Sequence, residues 1–345
     1  MAVMLTESDA RILAEKNLDN VLDVISDDAI AKGVEGYSGK VRENYVLPGK
    51  KERVLLTSDR VSVFDSVVGT VPFKGQVLDE LTHWWFERTS ILVPNHVRAR
   101  PAPTVTVAAQ CEPLLVEMVV REYLTGTSST SIWTAYKKGE RVFCGHRLPD
   151  GMKKDQRLPY VMVTPSTKAA HGEHDVSVPK DYILAKCILP GTMDEQYSLW
   201  EHLNSQSLAL FGMGAAISDN IGLILVDTKY EFGITHEGRV VVIDEVHTPD
   251  SSRFWEKGDY AERFAQGRDP KSLSKQFVRD AIIALGYDPK VGGKVPKLTP
   301  ESAVECAVRY IMLCQRITGR PFEPDLRPVE ERVYRPLEEL GVMRK

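Results

Sequence analysis

The chain has 345 residues, of which 27% are charged and 43% apolar, and a formal net charge of −4. That length allows two compact domains or one large domain with extensions, and the composition is that of a soluble globular protein. The mild acidity leaves no electrostatic footprint for nucleic acid, and no apolar run approaches the roughly 18–20 residues of a membrane span. The first residues are acidic early on and lack the apolar core of a signal peptide. Cys111, Cys144, Cys187, Cys306 and Cys314 are scattered, without a CxxC pair. They read as free thiols in a reducing cytoplasm rather than as a zinc or disulfide framework.

Residues 7–33 are helical in period, with Ile12, Leu13, Leu18, Val21, Leu22 and Ile25 as the apolar stripe. From Tyr37 the pattern turns to strands, broken by the turn Pro48-Gly49-Lys50-Lys51. Residues 78–90 predict a helix, and residues 97–107 and 113–120 predict strands. Residues 145–180 are rich in Gly, Pro, His and Lys and read as a long structured loop, which in a compact chain is more often functional than idle. Residues 194–221 predict a long helix, stopped at Gly222. From Asp259 onward the pattern is mostly helical, with an interruption at 286–300. There is no internal repeat.

The densest chemistry lies in residues 223–255. Two β-rich runs flank His236-Glu237-Gly238, a hairpin composition. Asp227, Lys229 and Glu231 alternate along the first run and therefore share a sheet face. With residues 236–239 as a four-residue loop, Glu231 would lie opposite Asp244, placing two carboxylates and a lysine together. Oxygen ligands beside a cation suit Mg²⁺ held against phosphates. The competing reading is a surface hairpin with salt-bridged charges on its wet face.

Other signals are weaker singly. Gly39-Lys40-Val41-Arg42 opens a strand and sets a glycine beside two basic residues, a pattern that lets phosphate approach the backbone, although an ordinary turn has the same look. Gly212-Met213-Gly214-Ala215 lies inside a helical pattern, so it fails the strand–turn–helix context of a dinucleotide fingerprint. Ser58-Asp59-Arg60 and Phe64-Asp65 flank a short apolar run that ends near Pro72-Phe73-Lys74-Gly75; their Asp and Arg side chains are pocket candidates, with a turn network the equal alternative. Arg121, followed by hydroxyls from Thr127 to Thr130, and Ser252-Arg253 both offer a guanidinium fork with hydroxyl donors, a common phosphate cradle. Lys168, His174 and Asp175 add polar groups in the long loop.

Taken together, GKVRENY at 39–45, SDRVSVFD at 58–65, PFKGQVL at 72–78, EMVVREYLTGT at 117–127, TPSTKAAHGEHD at 164–175, DTKYEFG at 227–233, IDEVHTPDSSRFW at 243–255 and KQFVRD at 275–280 resemble the phosphoribosylaminoimidazole-succinocarboxamide synthase (SAICAR synthetase) family. The departures are mild: Glu43 stands where the family usually has Asp, Thr127 and Val246 where many members have Ser, and Ser251 where many have Gly. The resemblance implies an ATP-dependent ligase of purine (IMP) biosynthesis. It joins 5-amino-4-carboxyimidazole ribonucleotide to L-aspartate through a carboxyl-phosphate intermediate and releases ADP and phosphate.

Carried over by position, the resemblance makes Glu231 and Asp244 the Mg²⁺–ATP ligands. Lys229, Lys40 and Arg42 would face the ATP phosphates, and Glu117-Met118-Val119 would form a hinge whose backbone pairs with adenine. Arg121, Thr127, Ser252 and Arg253 would hold the ribonucleotide phosphate, and Asp227 would stand near the imidazole and metal. Lys168, His174 and Asp175 would belong to a loop closing over the substrates, with Asp175 a candidate for the amine's proton. Asp65 and Lys74 would line the substrate pocket. The fold implied is α+β, a kinase-like pair of lobes with ATP in the interlobe cleft and a helical C-terminal region. Its parts would be an N-terminal extension (1–35), a strand-rich lobe (36–118), a central lobe (119–255) and C-terminal helices (256–345). A cytoplasmic monomer is expected over a homodimer. A small-molecule kinase of the same fold, which would not need aspartate, and a non-catalytic nucleotide-binding protein are the alternatives.

Overall fold

The strand pattern that starts near Tyr37 builds an antiparallel sheet in the computed structural model, which describes residues 3–128, 130–168, 175–289 and 291–344. Contacts divide the chain into two units: Met1–Trp85, His96–Gln110 and Leu273–Lys345 form one, and Phe86–Asn95 with Cys111–Ser272 form the other. The first unit opens with helix α1 (Glu7–Lys16), whose N-terminus is fixed by reciprocal capping between Thr6 and Asp9. The helical reading of residues 7–33 therefore stops early, and only a short 3-10 turn at Asp27–Ala29 follows. Strands β1 (Glu35–Ser38), β2 (Arg42–Val46), β3 (Glu52–Thr57), β4 (Arg60–Val63) and β5 (Ser66–Thr70) come next, then helix α2 (Lys74–Thr89), β6 (Val97–Ala102) and β7 (Val105–Ala109).

The five-stranded sheet runs β1-β2-β3-β7-β6, and β4 pairs with β5 apart from it. The single strand predicted at 97–107 is a tight hairpin, turned at Thr104 with φ +77°. On this sheet Tyr45, Val54, Leu56 and Val107 share a core with Leu22 and Ile25 from the N-terminal segment and with Val333, Leu337 and Val342 from the C-terminal one. Burial of apolar side chains from both chain ends thus makes them part of the first unit.

The second unit is built on β8 (Cys111–Leu124), β11 (Gln156–Val163), β13 (Leu223–Thr235) and β14 (Val240–Ile243), hydrogen-bonded in the order β11-β8-β13-β14. A two-residue pair, β9 (Val142–Phe143) and β10 (His146–Arg147), lies outside it, while β12 (Ser166–Thr167) adds to β8 and β15 (Ser252–Glu256) to β13. So the stretch read as one long loop, 145–180, supplies strands to the sheet. The predicted long helix is α5 (Met193–Asn220), capped by Thr192 and Glu195, after the short α3 (Ile132–Lys137) and α4 (Lys180–Ala185). The helical tail contains α6 (Tyr260–Ala265), α7 (Gln276–Ala284), α8 (Pro300–Thr318) and α9 (Arg335–Glu339). Among the described residues no helix is long and apolar enough to cross a membrane. None of the five cysteines is in a disulfide.

Candidate active site

Pleating decides which side chains meet on the second sheet. Along β13, Asp227, Lys229 and Glu231 point to one face, and antiparallel pairing sets them opposite Arg121, Val119 and Glu117 of β8. The intervening Val226, Thr228, Tyr230 and Phe232 are buried on the other face.

At the Glu231 end the charges interlock. Lys229 donates to Glu117 Oε1 at 3.0 Å and is also ion-paired with Glu231. Lys168 reaches Glu231 Oε2 at 2.5 Å, its backbone N–H held by the Leu115 carbonyl. Burial opposes charge on both partners, but the ion pairing wins. Glu231 is pushed down to about 2 by Lys229 and Lys168, and Lys229 is held above the ordinary lysine range by Glu231 and Glu117. Both groups are ionised at neutral pH.

At the other end Asp227 sits between two guanidinium groups. Arg121 approaches it at 3.4 Å, donates to Thr164 Oγ1 at 2.8 Å and reaches the Thr130 carbonyl at 3.4 Å. Arg253 of β15 pairs with the same carboxylate oxygen. Arg121 and Asp227 are buried, 6% and 4% exposed, while Arg253 is half-buried. Burial lowers the Arg121 pKa, and Asp227 opposes that shift. Ser252, expected to assist Arg253, is turned to the opposite face by strand alternation, and its hydroxyl shares a 2.7 Å hydrogen bond with Thr228. Thr127 is exposed.

Two expectations about geometry are corrected. The β13–β14 loop has one residue more than assumed: Ile234 pairs with Val240, and Glu231 lies opposite Ile243. Asp244 is therefore one position past the strand, half-buried, with φ +66°. The carboxylate standing opposite Glu231 in the sheet is Glu117 instead. Nor do Glu117-Met118-Val119 form an open hinge. They lie in mid-strand between β13 and β12, and the Val119 carbonyl accepts from the Thr164 N–H at 2.7 Å. The chain passes from the first unit to the second earlier, at Gln110–Cys111.

The remaining expected residues are spread out. Lys40, in the β1–β2 turn, is ion-paired with Asp65, and both are exposed. Arg42 begins β2, half-buried, and Lys74 is fully buried at the start of α2. Asp175 is exposed, and His174 lies outside the described residues. A pair that sequence reasoning missed backs the charged face. Tyr230 OH and His247 Nε2 are 2.5 Å apart and wholly buried, with Gly214 of α5 so close that a Cβ there would stand 2.2 Å from the imidazole. Gly214 is thus a packing glycine, as its helical context implied, whereas Gly212 is exposed and a Cβ there would meet nothing.

Among the described residues no three His, Cys, Asp or Glu are gathered to hold a metal ion alone. The ionised Glu231, with Glu117 opposite it, fits Mg²⁺ in another sense. That ion commonly takes only one or two protein carboxylates and shares the rest of its coordination with nucleotide phosphates.

A model of the SAICAR synthetase family matches residues 35–292. The phosphoribosylaminoimidazole-succinocarboxamide synthase of Legionella pneumophila strain Lens is 43% identical over 292 residues, covering 85% of this chain and 90% of that protein. The chloroplastic enzyme of Arabidopsis thaliana is 40% identical, covering 86% of this chain and 70% of that one. Among solved structures, the Saccharomyces cerevisiae SAICAR synthase complexed with SAICAR superposes with a TM-score of 0.69 at 25% identity, covering 88% of this chain and 99% of that chain. A type-2 SAICAR synthetase in complex with ADP, at 20% identity and TM-score 0.60, covers 84% of this chain and 100% of that one and shares the fold. The chain belongs to the SAICAR synthetase family.

Proposed function

We propose that this chain joins the carboxylate of 5-amino-4-carboxyimidazole ribonucleotide to the amine of L-aspartate, with ATP converted to ADP and phosphate. The observation that carries this reading, beside family membership, is the face of β13, where four cations meet three carboxylates across adjacent strands. A carboxylate is a poor electrophile and needs a leaving group. In the first step its oxygen attacks the γ-phosphorus, the bond to the β-phosphate oxygen breaks, and ADP departs. In the second, the amine attacks the acyl carbon, phosphate leaves, and the nitrogen gives up a proton, for which Asp175 is the candidate acceptor.

Lys229 and Lys168 offset the repulsion between anions that this requires, being ammonium groups already engaged with carboxylates. Glu231 and Asp244 would hold Mg²⁺, which supplies charge neutralisation at the phosphates. Lys40 and Arg42 are assigned to the ATP phosphates. Arg121 and Arg253 are assigned to the ribonucleotide phosphate, with Asp227 fixing their forks. Thr127, Lys74, Asp65 and His174 remain candidates for substrate contact, and Glu117 acts through its side chain on Lys229. The expected working form is a cytoplasmic monomer. A kinase using the same residues is disfavoured by the family match.

The test is ADP release from Mg²⁺–ATP and the carboxyimidazole ribonucleotide, with and without L-aspartate. Aspartate-dependent release with a succinocarboxamide of the right mass is expected. Release without aspartate, or phosphorylation of a hydroxyl, would overturn the ligase reading.

A further inference from the structure

Arg60, at the start of β4, is buried to 3% exposure, and its whole guanidinium is spent on backbone carbonyls and one acid. Its Nε donates to the Lys40 carbonyl at 3.1 Å, Nη2 to the Gly39 carbonyl at 3.0 Å and Nη1 to the Asp23 carbonyl at 3.0 Å. Glu43, whose other oxygen accepts from the Ser38 hydroxyl, lies 2.6 Å from Nη2 and holds the fork in place. The next carbonyl of the same turn, Val41, accepts from the Ser58 N–H at 3.0 Å and the Ser58 hydroxyl at 2.8 Å. Three successive carbonyls of the turn are therefore pulled onto the segment Ser58-Asp59-Arg60.

This has a directional consequence. In a trans peptide the N–H points opposite to the carbonyl, and the chain has no cis peptide bond. Drawing the Gly39 and Lys40 carbonyls inward aims the N–H groups of Lys40 and Val41 outward, away from Arg60. A row of such N–H groups is a concavity for anions, whereas outward carbonyls would repel phosphate oxygens. The neighbouring Asp59 ties the same place to the N-terminal segment, accepting from the Leu22 N–H at 2.7 Å and lying 3.5 Å from Arg332.

We infer that Arg60 is a positioning residue for nucleotide binding: without touching the nucleotide, it sets the peptide planes of residues 39–41 so that the Lys40 and Val41 N–H groups face a polyphosphate. This rests on the reading of that turn as a phosphate loop. A lysine at position 60 keeps a cation for Glu43 but offers no planar fork to span the separate carbonyls.

The experiment compares Arg60→Lys with wild type in binding of ATP, ADP and AMP, in KM for each substrate, and in thermal stability. Weaker ATP and ADP binding by at least about tenfold is expected. AMP affinity and the KM values for ribonucleotide and aspartate should move less than about twofold, with the fold retained. The double variant Glu43→Gln/Arg60→Gln removes both buried charges together and is expected to show the same pattern if the single variant folds poorly. Equal weakening of AMP and ATP, or unchanged ATP affinity in a folded variant, would overturn the role of Arg60 alone. Wild-type protein that binds neither ATP nor ADP would overturn the underlying reading of the loop.

Discussion

The two ends of the charged face of β13 hold their carboxylates in opposite ways. Asp227 is enclosed by guanidinium forks, and Arg121 and Asp227 have side chains only 7% and 6% exposed. Glu231 is held by flexible ammonium groups, and the side chain of Lys168 is 38% exposed. A buried, planar pair fixes geometry and is costly to break, whereas an accessible lysine can leave one anion for another at little cost. The first end thus acts as a frame, and the second can trade an internal carboxylate for a phosphate.

Removing the carboxylate at the enclosed end gives the largest expected effect. Asp227→Ala leaves Arg121 and Arg253 facing each other, and a loss of about 3–5 kcal/mol in unfolding free energy is expected from chemical denaturation. A loss below about 1 kcal/mol would mean that this end is no more rigid than a surface pair. At the open end the stability change should be smaller and the kinetic one large. Glu231→Gln is expected to lower kcat by about a hundredfold or more, equal to about 2.7 kcal/mol of activation free energy, with a stability loss below that of Asp227→Ala because Lys229 keeps Glu117 as a partner. Normal turnover at ordinary Mg²⁺ would remove Glu231 from the nucleotide site.

A third effect, small per pH unit, sharpens the comparison from behind the sheet. Burial lowers the pKa of His247, and of His96 in the first unit, from 6.5 to about 3. Between those values the unfolded chain binds protons that the folded chain refuses. Stability should therefore fall as pH drops below about 6.5, by up to about 1.4 kcal/mol per pH unit for each histidine. Denaturation curves from pH 7 to 4.5 check this, and His247→Gln should flatten the slope by one histidine's share. An unchanged slope would mean that His247 is already protonated in the folded protein.

What could be read from sequence here was local. Alternation put Asp227, Lys229 and Glu231 on one face, and the helical pattern with its glycine stop bounded α5 closely. The failures were matters of register and of distance along the chain. One extra loop residue moved Asp244 off the strand. That Glu117 stands opposite Glu231 depends on pairing between strands more than a hundred positions apart, which no periodicity reveals. Strand alternation did contain a signal against Ser252, since neighbours in a strand cannot both face Asp227. Ser58-Asp59-Arg60 was readable as a turn network but not its target, the 39–42 turn, and the work of His247 beneath Tyr230 follows from packing and left no pattern to find.

The most direct measurement follows oxygen. With the ribonucleotide carboxylate labelled with ¹⁸O, activation by ATP should leave one labelled oxygen in the phosphate released for each succinocarboxamide formed, because the carboxylate oxygen departs with the phosphoryl group. Product formed alongside unlabelled phosphate would contradict carboxylate activation on this face.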